Sequence, residues 1–358
     1  MPSLDVTASS IELTRQLCDI ESVSGDEKAV ADAIEAALAG AAHLEVVRDG
    51  DAIVARTNLG RAQRVVIAGH IDTVPLNDNL PTRFETVDDV EVLWGRGTVD
   101  MKAGSAVHLK LAVELTEPSV DVTWVWYDHE EVADALNGLG RLVRNRPELL
   151  TGDLAILGEP TDNGIEGGCN GNLRVALTTR GQRAHSARAW MGSNAIHKAG
   201  AILQTLAAFQ PEDVEVDGLV YKEGLNAVGV TGGVAGNVIP DECVVTVNFR
   251  FAPSRSPEQA VEYVRALFPG VELEVLDLAA GARPGFDSAM SQELLAAVGG
   301  EPRAKFGWTD VARFSALGVP AINYGPGDPT LAHKDDERVP VAQIPEFERG
   351  LRAWLTRG

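Results

Sequence analysis

Five short apolar runs in this chain do not alternate with polar residues, and each stops just ahead of an acid or a histidine. Val65-Val66-Ile67-Ala68-Gly69 ends at His70, and Leu93-Trp94-Gly95 leads to Asp100. Val122 to Tyr127 leads to Glu130-Glu131, Leu154 to Leu157 to Glu159, and Ala321 to Tyr324 to His333. Such runs read as strands buried on both faces, the signature of a parallel sheet. In an open α/β sheet, ligands collect in the crevice beyond the carboxyl ends of the strands. The five positions are therefore expected to converge although they lie far apart along the chain.

Strands and helices alternate up to about residue 160, with Ala103 to Leu115 as a clear helix, which predicts a mostly parallel mixed sheet flanked by helices. Ser24-Gly25-Asp26-Glu27 has the pattern of a capping box, and Val30, Ile34 and Leu38 put an apolar stripe on the helix that follows. The pattern changes near Asn172. Leu173, Val175 and Leu177 alternate with polar residues, as does Cys243 to Phe251, so these strands have one solvated face. Ser193 to Phe209 carries Ile196, Leu203 and Leu206 at helical spacing, and Ser256-Pro257-Glu258-Gln259 opens a second helix with a cap and a first-turn proline. The predicted organisation is a discontinuous α/β body, residues 1–172 and 286–358, with an inserted α+β domain at 173–285.

A formal net charge of −21 makes phosphate backbones and anionic membranes poor partners. Cys18, Cys169 and Cys243 form no CxxC pair, so neither a disulfide framework nor a thiolate metal site is indicated. No stretch reaches 18 consecutive apolar residues. The expectation is a soluble, cytoplasmic protein.

Several contexts could carry chemistry. In Gly69-His70-Ile71-Asp72, a carboxylate two positions after the histidine can fix the imidazole's tautomer. Gly95-Arg96-Gly97-Thr98-Val99-Asp100 is a glycine-rich loop feeding a helix. It matches neither common phosphate-binding motif, and Asp100 would repel a phosphate but could bridge two cations. Asp128-His129-Glu130-Glu131 reads either as a solvated charge run or as adjacent carboxylates that divide metal binding from general-base work. Glu159 in Gly158-Glu159-Pro160 is by itself more turn than ligand, and His333 lies in a long loop of the kind that carries function. Lys102, Lys334 and the run Asp335-Asp336-Glu337 read as solvated charges.

Taken together, these contexts resemble the zinc-dependent aminoacylase and carboxypeptidase family of metallopeptidases, which also contains acetylornithine deacetylase and succinyl-diaminopimelate desuccinylase. The likeness extends over essentially the whole chain. Gly307-Trp308-Thr309-Asp310, Asn323-Tyr324-Gly325-Pro326-Gly327-Asp328 and Ala332-His333-Lys334 look most like the family's actinobacterial desuccinylases. The resemblance implies two divalent metal ions, zinc or substituting cobalt, with His70 and Glu159 on one, Glu131 and His333 on the other, and Asp100 bridging them. It implies Glu130 as general base and Asp72 as the residue orienting His70. It further implies a homodimer through the inserted domain, with His185 of Arg183-Ala184-His185-Ser186 offered to the partner subunit's site. Asn237, Arg250 and Thr309 are the implied substrate-binding residues. Read from their residues alone, His185 is a turn residue and Arg250 a strand residue reaching to water. The chain departs from proteobacterial desuccinylases at Glu166-Gly167-Gly168-Cys169-Asn170-Gly171-Asn172, where those enzymes carry basic residues.

The implied reaction is hydrolysis of N-succinyl-LL-2,6-diaminopimelate to succinate and LL-2,6-diaminopimelate. Acetylornithine deacetylation, hydrolysis of another N-acyl amino acid and dipeptide cleavage are alternatives on the same metal site. A non-catalytic metal-binding assembly module is an alternative of another class, one that predicts loss of a ligand or of the base.

Overall fold

The computed structural model describes residues 2–357; Met1 and Gly358, the ends of the expected discontinuous body, lie outside the described residues. The chain divides into two compact units. One takes the chain up to Gly167, Pro284–Arg303 and everything from Arg313 onward; the other takes Gly168–Arg283 and Ala304–Ala312. The second unit thus includes a segment that the sequence reading left with the first. Trp308 Nε1 donates to Ala280 O at 3.1 Å and Cys169 Sγ to Thr309 O at 3.6 Å, which ties that segment in.

In the first unit, four parallel strands form the middle of the main sheet, in the order Asp121–Tyr127, Arg64–His70, Leu154–Leu157, Ala321–Asn323. The antiparallel pair Glu45–Asp49 and Ala52–Arg56 extends one edge. The apolar runs are fully buried: every residue of Asp121–Tyr127 and of Leu154–Leu157 lies in the interior. Pairings His70↔Tyr127, Ala68↔Leu157 and Leu157↔Asn323 bring the carboxyl ends to one edge of the sheet.

The run before Asp100 is a different case. Val90–Trp94 belongs to a separate three-stranded antiparallel sheet, between Arg83–Val87 and Arg338–Pro340. Only its second half is buried, with Val90 and Glu91 in solvent, so Leu93-Trp94 reads as core without being a central strand.

Helix Lys102–Glu114 is buried from Lys102 through Ala112. It comes so close to the sheet that a Cβ on Gly104 would stand 2.3 Å from Gly158 O, and only glycine fits there. Helix Lys28–Leu38 buries Val30, Ile34 and Leu38 as its stripe requires, but the capping box before it does not form. Its N-cap is Glu27, with no side-chain cap bond, and the Ser24 hydroxyl is used elsewhere.

The second unit is built on a four-stranded antiparallel sheet, in the order Gly224–Gly232, Glu242–Phe251, Gly171–Arg180, Glu272–Ala279. Cys243, Val245, Val247, Phe249 and Phe251 alternate inward, each large apolar side chain worth about 1.5–3 kcal/mol on burial. Helices Ala195–Ala208 and Pro257–Leu267 cover that face, the latter opened by the Ser256–Gln259 capping box. Helix Ala195–Ala208 buries only part of its apolar spacing. It buries Ala195, Ala199 and Ile202 and keeps Leu206 partly buried, while Ile196 and Leu203 are 41% and 39% exposed. Small residues allow the close approach to the sheet, so the bulkier stripe is left outside.

Candidate metal centre

His70 is the last residue of its strand and is buried. Its Nδ1 lies 3.0 Å from the Asp72 carbonyl oxygen and 3.4 Å from Asp72 Oδ1. Its Nε2 faces Asp100 Oδ1 at 3.0 Å. Burial works against a charged imidazole here, yet the Asp100 and Asp72 carboxylates hold its pKa well above the usual histidine value.

Asp72, fully buried, receives the Ser24 hydroxyl at 2.5 Å and the backbone N–H groups of Glu130 at 3.0 Å and Glu131 at 3.1 Å. The N–H of the preceding His129 goes to Glu27 Oε1 at 3.1 Å. Three consecutive amides thus end on two carboxylates and set the backbone that carries Glu130 and Glu131. His129 itself takes a left-handed φ of 57°, which turns the chain as it leaves the strand. Burial disfavours the Asp72 anion, but the His70 contact and these donors keep its pKa below the ordinary value.

Asp100 divides its oxygens between two histidines. Oδ1 faces His70, and Oδ2 lies 3.3 Å from His333 Nε2, which also meets the Glu131 carboxylate at 2.9 Å. Hydrogen bonds to Asp100 and to Glu131 raise the His333 pKa to about 10. Burial and the Asp100 charge raise that of Glu131. His70, Asp100 and Glu131 offer ligand atoms that all lie within 4.8 Å of one another. Imidazole nitrogens and carboxylate oxygens converging on shared points make a donor set that fits a divalent ion of borderline softness. Glu159 is buried two residues past the end of Leu154–Leu157, the strand that pairs with that of His70.

Two charges read as solvated are interior. Lys102 is 1% exposed, and its Nζ donates to Ile20 O at 2.8 Å and Leu17 O at 3.2 Å; burial pushes its pKa down to about 8. Glu337 is also 1% exposed. Its Oε1 accepts the N–H groups of Val99 at 3.0 Å and Asp100 at 3.1 Å, and its Oε2 meets Arg96 Nη1 at 2.8 Å. Lys334, Asp335 and Asp336 are exposed as expected. Arg96 could have been suspected: a long charged residue between Gly95 and Gly97, both at positive φ, has a backbone shaped around it. Nothing in the charge run itself separates Glu337 from its neighbours.

The remaining expected site residues lie in the second unit. His185 is exposed, its Nδ1 accepting from Ala187 N–H at 3.1 Å, and its short strand Ala184–His185 pairs with Val238–Ile239. Ser186 N–H donates to Asn237 O at 2.9 Å, which puts Asn237 beside His185. Arg250 is opposite Gly224 and Asn172 in the sheet register, and burial lowers its pKa. Thr309 is buried. The segment that departs from the proteobacterial pattern is interior, with Glu166, Cys169 and Asn170 all buried.

The model of peptidase family M20/M25/M40 matches residues 66–357. The succinyl-diaminopimelate desuccinylase of Corynebacterium glutamicum is 50% identical over 366 residues, covering 99% of this chain and 98% of that protein. A Mycobacterium tuberculosis protein given the same name provisionally is 54% identical over 355 residues, covering 98% of this chain and 99% of its own length. Among known structures, a family M20 metallo-carboxypeptidase from Sulfolobus solfataricus superposes with a TM-score of 0.76 at 16% identity, over 98% of this chain and 99% of its own, a likeness of fold.

Proposed function

Because the chain belongs to peptidase family M20/M25/M40, we propose that it is a metal-dependent amide hydrolase that cleaves N-succinyl-LL-2,6-diaminopimelate to succinate and LL-2,6-diaminopimelate. The observation that carries the chemistry is the Asp100 carboxylate, one oxygen toward His70 and the other toward His333 beside Glu131. The 50% identity with the Corynebacterium glutamicum desuccinylase supports the choice of substrate.

His70 and Glu159 would hold one ion and Glu131 and His333 the other, with Asp100 available to both; zinc would suit these donors and cobalt could substitute. When bound, such ions acidify water and polarise an amide carbonyl. Glu130 takes the proton as the water oxygen attacks the succinyl carbonyl. It returns the proton to the amine nitrogen as the C–N bond breaks, leaving succinate and the free amine. Asp72 orients His70 and holds the backbone of Glu130 and Glu131. Asn237, Arg250 and Thr309 bind the substrate's polar and carboxylate groups, with the Arg250 guanidinium suited to a carboxylate.

The protein acts as a homodimer through the second unit, where His185 is offered to the partner subunit's site to hydrogen-bond the developing oxyanion. Supporting this are the edge strand Gly224–Gly232, with Val228 and Val230 more than half exposed, and the uncovered Ile196 and Leu203. An apolar sheet edge of that kind is normally covered. Light scattering during size exclusion tests the dimer, and a monomer at micromolar concentration would refute it. The natural site of action is the cytoplasm, without nucleic acid or membrane partners. All three cysteines are free and buried, and no helix among the described residues is long and apolar enough to cross a membrane.

A panel of N-acyl substrates tests the assignment. The succinyl diaminopimelate should exceed N-acetylornithine and dipeptides in kcat/KM, and preference for either of those would replace the proposed substrate. Loss of activity on chelation, restored by zinc or cobalt, separates an enzyme from an inert metal-binding module.

A further inference from the structure

Arg96 and Glu337 lie on the loops that carry two of the proposed ligands, and both side chains are buried, at 3% and 1% exposure. Glu337 accepts the N–H of Asp100 itself and of Val99, and its backbone carbonyl accepts Gly95 N–H at 2.9 Å. Arg96 in turn donates to the carbonyl of Lys334, the neighbour of His333, at 3.1 Å and pairs with Glu337 at 2.8 Å. Each loop therefore holds the backbone beside the other loop's ligand. The bonds are charge-assisted and shielded from water, the setting in which such bonds are strongest and in which removing one partner leaves the other costly. His333 needs this support because it takes a left-handed φ of 64°, in a loop whose next three residues are exposed.

We propose, on the two-metal reading given above, that the Arg96–Glu337 pair is a positioning clasp. It sets the separation of Asp100 and His333, and so governs occupancy of the metal position that those two residues share with Glu131. The position held by His70 and Glu159 shares Asp100 with it, but its own two residues stand at strand ends of the main sheet, with Asp72 against His70, whereas the other position depends on the clasp through both Asp100 and His333. The two metal affinities should therefore respond unequally when the clasp is weakened.

Stepwise titration of the chelated full-length protein with Co(II), followed by calorimetry and by the visible absorption of the bound ion, reads both positions without using activity. Glu337→Gln keeps the shape and one acceptor oxygen but removes the charge. It should weaken one of two binding steps by about 10–100-fold and change the other by less than about threefold, the usual scale for residues that orient ligands. The weakened step should be the one that His333→Ala abolishes. Arg96→Lys, which retains the charge but not the fork, should weaken the same step to a smaller extent, and it serves if Glu337→Gln does not fold. Asp336→Asn, a change in the exposed part of the same loop, should alter neither step. Equal weakening of both steps, or of neither, in a folded variant would overturn the clasp while leaving the two-metal reading intact. A wild-type protein that takes up a single equivalent would overturn that reading and the clasp with it.

Discussion

Around Asp100, side chains and backbone amides are buried and bonded several times over, whereas exposed His185 is held by a ring nitrogen accepting from Ala187, a two-residue strand pair and the bond from Ser186 to Asn237. The first arrangement suits an ion, which tolerates little error in ligand position. The second suits a group that meets its target only when substrate is present, since exposed segments are where binding residues can adapt. The contrast predicts that substitutions in the first region alter stability and metal content together, and that those in the second alter activity alone.

The largest expected effect falls where the two behaviours would separate within the first region. Glu130→Gln should lower kcat by about 10²–10⁴-fold, the range for a general base, with metal content unchanged by elemental analysis. A drop below tenfold with both ions in place would remove Glu130 from that role. His185→Ala should cost about 10²–10³-fold in kcat, as loss of an oxyanion donor does. Because the residue is exposed, its thermal midpoint and metal content should stay at wild-type values. Metal loss in that variant would break the comparison outright.

Gly104→Ala probes how closely the first region is built. In an ordinary helix the change stabilises by about 1 kcal/mol. Here the added carbon meets Gly158 O, and a net destabilisation of about 2 kcal/mol in urea unfolding is expected instead. Stabilisation would mean that the helix and strand can part.

The smallest effect concerns pH. In the chelated protein, Asp100 and Glu131 raise the His333 pKa from 6.5 to about 10. A raised pKa contributes stability that is fully present below about 6.5 and is lost as the pH climbs toward 10. Lys102, lowered to about 8, acts in the opposite sense, adding stability from there up to 10.5, so the histidine contribution is clearest between pH 6.5 and 8. The urea midpoint of chelated protein should fall across that interval and fall less once the ions are restored. A rise in the chelated sample would contradict the arrangement around His333.

The main sheet was legible because a run buried on both faces shows no polar alternation, as in Leu154 to Leu157 and in Val122 to Tyr127, where Thr123 is a lone β-branched exception. That His70, Asp100, Glu131 and His333 meet was legible only from their joint occurrence after such runs, since one acid or histidine at a strand exit is commonplace. What could not be read was the destination of charges whose partners are remote. Glu337 meets Arg96 across 241 residues and Lys102 meets Leu17 across 85, distances at which local pattern carries no information. The buried face of helix Ala195–Ala208 was not legible for a related reason. Periodicity locates a stripe, but close approach to the sheet favours alanines over the bulkier Ile196 and Leu203.

The meeting of Gly104 with Gly158 has a consequence for how such a protein can diversify. With no room for one further carbon between helix and strand, the seam beneath the ligands has no mutational headroom. Substitutions that add volume are accommodated elsewhere, at exposed positions such as Asn237, where the added atoms meet solvent. A lineage of this design is expected to vary at its exposed loops while the glycine seam between helix Lys102–Glu114 and the main sheet stays as it is.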